Sequence, residues 1–182
     1  MAAADLLIDA LGRVKETVHA AVDGLDQQQL TYRLDPQANS IAWLVWHLTR
    51  VQDDHLAAVA GAEQVWTHQG WARRFGSPFD DSAIGYGHTS TEVAAVQGPA
   101  DLLLAYHDAV HDSSVAWLRT VAEDDLPRVV DHRWDPPVTL AVRLVSVVDD
   151  CTQHAGQAAF VRGVVERMAG ADTSSAVSSS AD

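Results

Sequence analysis

Ser40-Ile41-Ala42-Trp43-Leu44-Val45-Trp46-His47-Leu48 decides how this chain folds. Ser40 is a good helix N-cap, since its hydroxyl can accept an otherwise unpaired backbone N–H of the first turn. The residues behind it are almost all apolar, and Gly61 marks a natural stop, so the reading is a helix from Ile41 to about Ala60. Its inward stripe is Leu44, Leu48 and Val51, with His47 beside it near the interior. A lone buried histidine is more often a satisfied core residue than a ligand. A second feature changes that balance.

The second feature is Asp150-Cys151-Thr152-Gln153-His154, in a valine- and alanine-rich segment read as a helix from about Thr139 to Met168. Residues four apart share a helix face. The segment is apolar nearly all round, which implies burial on most sides. A buried carboxylate is costly without a cation or a set of donors. One imidazole on one helix and a carboxylate–imidazole pair on another would make a three-ligand metal site with room left for chemistry. Such a set suits Zn²⁺, Ni²⁺, Fe²⁺ or Mn²⁺ and is too nitrogen-rich for Ca²⁺.

Two further helices complete a bundle. One runs from about Asp5 to Val22 with Leu11, Val14 and Val18 at helical spacing; the other runs from Pro99 to about Ala122 with Leu103, Tyr106, Val110 and Trp117. No segment alternates convincingly as a strand. The fold class is therefore all-α, an antiparallel four-helix bundle over 1–170, followed by a Ser/Ala/Asp tail over 171–182 expected to be disordered. Between helices two and three, 61–98 is a long loop rich in aromatic residues and glycine, in which Thr89-Ser90-Thr91-Glu92 reads as a capping box. It is expected to roof a pocket, to seal one end of the core, or both.

His107 and His111 also stand four apart, but off the apolar stripe of their helix, and read as boundary or surface residues. Asp54, two turns after His47, reads as a solvated acid or as a group that orients a ligand. Cys151 reads as a small buried hydrophobe rather than a nucleophile, with the charge of Asp150 next to it opposing a thiolate.

With 12 Lys and Arg against 25 Asp and Glu, the formal charge is −13, which argues against nucleic acid and anionic membranes as partners. Lys15 is the one lysine, a bias that with the Ala, Val and Asp content suggests a GC-rich source. A single cysteine excludes an intrachain disulfide, and the N-terminus has no basic region ahead of an apolar run. Cytoplasmic localisation is the expectation.

The segments Asn39–Leu48, Gly85-Tyr86-Gly87-His88-Thr89 and Val147–Gln157 resemble the DinB-like family, which includes thiol S-transferases that use mycothiol or bacillithiol. The resemblance covers roughly Leu6 to Arg167. It implies a four-helix bundle with up-down-down-up connectivity and a divalent metal, Zn or Ni favoured and Fe or Mn allowed, held by His47, Asp150 and His154. Many members carry His where this chain has Asp150, a harder and negatively charged ligand. The resemblance further implies a low-molecular-weight thiol, with mycothiol favoured, activated for attack on an electrophile. Trp71, Arg74, His88 and Arg162 are the candidate substrate-binding residues, and a homodimer is the expected assembly. The other reading is a metal- or ligand-binding stress or interaction protein without turnover.

Overall fold

The structure is a computed structural model that describes the backbone over residues 2–178 and the side chains as far as residue 169. In chain order the elements are α1 (Ala3–Val22), α2 (Gln27–Leu30), α3 (Ile41–Ala60), α4 (Val65–His68), α5 (Trp71–Phe75), α6 (Ser90–Ala95), α7 (Ala100–Leu118), β1 (Val129–Asp131), β2 (Val138–Thr139) and α8 (Leu140–Ser178). Helix α8 is carried to Ser178. The tail expected over 171–182 falls on residues whose side chains, and from 179 whose backbone, lie outside the described residues.

The long helices α1, α3, α7 and α8 form the bundle. Helix α8 packs on α1 and α3, and α7 packs on the same two from the other side. Their ends follow local chemistry. Ser40 accepts the N–H of Trp43, and Gly61 closes α3 with a left-handed φ of 68°. Thr89 and Glu92 form the expected capping box at the start of α6. At the start of helix α8 Thr139 accepts the N–H of Val142, and the N–H groups of Leu140 and Ala141 donate to the carbonyls of Arg128 and Leu126.

Partner residues give the helix directions. Thr49 meets His107 and Gln52 meets Ser114, so α3 and α7 run parallel. Leu48 meets Cys151 and His55 meets Arg143, so α3 and α8 run antiparallel. Lys15 reaches both Asp108 and Asp112 while His19 meets Asp108, so α1 and α7 run antiparallel. Parallel α3 and α7 explain the long loop. The chain leaves α3 at one end of the bundle and must enter α7 at the other, about 30 Å away for a helix of this length.

The core lies along the inner faces. In α8 the seam is Leu140, Leu144, Val147, Cys151, Ala155, Ala158, Val161 and Val165, a strictly helical spacing. The sequence suggests burial on most sides of this helix; instead Val142, Val145 and Phe160 are exposed. A second departure is the β1–β2 hairpin, which pairs Val129 with Thr139 and Asp131 with Val138. Strands this short carry too few residues to show alternation. A third is His107, which is fully buried, with its Nδ1–H donated to Thr49 Oγ1. Thr49 spends its own proton on the Val45 carbonyl, so the direction of the His107 bond is fixed. Cys151 is buried in the seam, where desolvation first and Asp150 second push its thiol pKa up.

Candidate metal centre

Helices α3 and α8 pack against each other, and between them His47, Asp150 and His154 converge. Each offers one ligand atom, and the three atoms lie within 4.8 Å of one another. His154 Nε2 stands 3.7 Å from Asp150 Oδ2, and the two imidazole rings meet edge-on with centroids 4.8 Å apart. The antiparallel crossing brings them together: position 47 of one helix faces positions 150 and 154 of the other. The side facing away from the core is partly open, with the Asp150 side chain 33% and that of His154 19% exposed.

Each imidazole is already oriented through its other nitrogen. The His47 Nδ1–H donates to the Ile84 carbonyl, since a carbonyl can only accept. The His154 Nδ1–H donates to Gln157 Oε1 at 2.9 Å. In both rings Nε2 is left with its lone pair free, the arrangement that metal-binding histidines adopt. His47 also stacks on Trp43 at 4.6 Å and 17°, with His154 edge-on to the same indole. Burial lowers the pKa of His47, opposed by its bond to Ile84 and reinforced by His154, so the ring is held neutral. Asp150 Oδ1 is buried and has no hydrogen-bond partner. An orphaned carboxylate oxygen beside two free imidazole lone pairs fits a divalent cation, which would satisfy all three.

The loop that returns from α3 to α7 is tied to α3 at three successive levels. His47 holds Ile84. One turn on, the buried Arg50 donates to the carbonyls of Asp81 and Ala83 and to Gln64 Oε1. One turn further, Asp53 accepts the backbone N–H groups of Val65 and Trp66 and the hydroxyl of Tyr106. Burial raises the Asp53 pKa against those donors and Arg50, and it pushes Tyr106 well above its ordinary value. Arg50 and Asp53 were missed in the sequence. The available signal was two charged residues three apart inside an apolar helix, which cannot both reach solvent.

The four candidate substrate-binding residues lie in different places. His88, on the loop, accepts from Trp43 Nε1 at 3.2 Å and stacks on Trp46, so it adjoins the triad. Trp71 packs on Tyr106 and carries the Arg74 guanidinium over its ring, on the far side of Trp66. Arg162, two turns beyond His154, donates to the Asp23 carbonyl and pairs with Glu166. Asp54 accepts from Gln64 and lies near His55.

A family model described as mycothiol-S-transferase matches residues 6–167. The chain belongs to this DinB-like family. A solved structure described as the conserved protein of locus from Enterococcus faecalis is 31% identical, with a TM-score of 0.85, over 91% of this chain and 98% of that one. No curated protein matches the chain. Among the described residues no helix is long and apolar enough to cross a membrane. Together, the family and the triad make this a DinB-like protein with a site able to hold a divalent metal.

Proposed function

We propose that the chain is a thiol S-transferase that joins a low-molecular-weight thiol, with mycothiol favoured, to a carbon electrophile. The observation that carries this reading is the convergence of His47, Asp150 and His154 with a buried carboxylate oxygen left without a partner. A divalent ion held by these residues, Zn or Ni for preference, would bind the thiol sulfur and lower its pKa into the neutral range. The protein's own part is orientation. Ile84 and Gln157 fix both imidazoles, Trp43 holds the ring of His47, and the half-open face admits substrate.

In the overall reaction the thiol S–H bond and the bond from carbon to its leaving group break. One S–C bond forms, the proton passes to solvent, and the displaced electron pair departs with the leaving group.

A cavity of about 610 Å³ beside His154 supports a hydroxyl-rich, uncharged thiol such as mycothiol over one bearing carboxylates. Its wall includes Gln37, Asn39, Gln153 and Gln157, carboxamides that both donate and accept as hydroxyls do, and Phe160, which is 62% exposed. None of its lining residues is charged. The bond from Trp43 to His88, with Trp43 stacked on His47, supports a substrate contact for His88. Arg162, Trp71 and Arg74 are already engaged with Glu166, Tyr106 and each other, and they fit a supporting role better.

The test is to purify the protein without a histidine tag, load it with Zn²⁺ or Ni²⁺, and follow consumption of mycothiol with a panel of electrophiles. Metal-dependent thiol loss is expected. No consumption across the panel would leave a metal-binding protein without turnover.

A further inference from the structure

A second cavity, of about 470 Å³, opens on the same α3–α8 groove toward the β1–β2 hairpin. Two of its lining residues, Asp54 and Arg143, stand seven positions from His47 and Asp150. Seven residues are close to two helical turns, so both lie on the faces that carry the candidate ligands, about 10 Å along the bundle. That spacing suits the length of a small substrate.

The lining of this cavity is rich in arginine. In a chain of formal charge −13, it gathers Arg128, Arg133 and Arg143 against Asp54 and Asp131. Asp131 is buried and accepts from both Arg133, at 3.0 and 2.9 Å, and Arg143, at 3.1 Å. It holds the two guanidinium groups in place without exhausting them. Each guanidinium has five N–H donors. Arg133 directs side-chain N–H groups only to Asp131, Arg143 divides its bonds between Asp131 and His55, and Arg128 donates to the Val59 carbonyl. The donors left over belong to planar forks that match carboxylate and phosphate oxygens.

We propose that this cavity is an oxyanion subsite that takes the carboxylate or phosphate group of the electrophilic substrate, with the reacting carbon directed along the groove toward His47, Asp150 and His154. The assignment of the ligand as electrophile rests on the S-transferase reading; the anion site itself does not.

The test uses metal-free protein, so that thiol chemistry plays no part. Sodium succinate and inorganic phosphate are titrated separately against the arginine Nε–H signals in NMR spectra, with chloride as the ionic-strength control. Saturable shifts at Arg128, Arg133 and Arg143 are expected with one or both anions, and the stronger binder identifies the group recognised. Arg128→Gln leaves the Asp131 clamp intact and should weaken binding roughly tenfold, the effect of one lost charge-assisted bond. Absence of saturable shifts with both anions, or Arg128→Gln binding as the parent does, overturns the subsite. Turnover of neutral electrophiles without anion binding sinks the subsite and spares the transferase. Anion binding without any thiol turnover does the reverse.

Discussion

A β-carbon placed on Gly85 would lie 2.6 Å from Nδ1 of His47, closer than any side chain tolerates. The glycine has φ of 94°, a backbone region that L side chains rarely adopt. Its neighbour Ile84 accepts the His47 Nδ1–H. The loop can thus orient the imidazole only because residue 85 has no side chain. Gly85→Ala should cost roughly 1–3 kcal/mol in urea unfolding. It should also lower bound metal, read by elemental analysis on the same folded sample. Normal metal content in this variant would show that the loop does not set the ring.

Asp150→Ala and His154→Ala should each lose metal on dialysis against a mild chelator, whereas Asp150→His should retain it, since many relatives are expected to carry histidine there. Gln157→Leu removes the acceptor of the His154 Nδ1–H while leaving all three candidate ligands in place. A weakening of metal affinity by about 10–100-fold is expected, measured by competition with a chromophoric chelator. Equal retention by all four variants would mean that the ion sits elsewhere.

Asp53→Asn should be strongly destabilising. The carboxylate satisfies two backbone donors and Tyr106 beside a buried Arg50 at 3.7 Å. An amide leaves the arginine charge unbalanced, at a cost of about 3–5 kcal/mol for a broken buried pair. Limited proteolysis checks the location: cleavage should appear first within 61–99, the segment these residues pin. Cleavage confined to the termini would argue against the pinning role.

Stability should fall with acid partly because of His107. Burial first, and His111 second, push its pKa down to about 3 from 6.5. The unfolded chain takes up this proton near pH 6.5, while the folded one does not until about pH 3. Falling pH therefore favours the unfolded state between those values, and above pH 6.5 the histidine has no such effect. Urea midpoints at pH 7.5 and 4.5 should drop less in His107→Gln than in the parent, since glutamine can still donate to Thr49. An identical drop would assign the acid sensitivity to other groups.

Much of this protein is legible in one dimension. Ser40, Gly61 and the Thr89–Glu92 box set helix ends through bonds that span at most a few residues, so their local chemistry suffices. Asp150 and His154 share a face through helical periodicity alone. The residue types allow a shared site with His47, but the family resemblance is what implies that set, because no local rule says which helices cross or at what level. The short hairpin escaped because a two-residue strand has no pattern. The burial of His107 escaped because an imidazole off the apolar stripe can still face a neighbouring helix and bond to Thr49 there.

The sequence by itself determined the four long helices and the two ligand-bearing segments, because propensity, capping and periodicity act between near neighbours. The up-down-down-up order, with α3 and α7 parallel, was implied by the family resemblance; only the tertiary structure decided that the loop returns across the site and that Arg50 and Asp53 hold it there. Those outcomes depend on which faces bury each other, and buried charges found their partners only once the chain had come back past them.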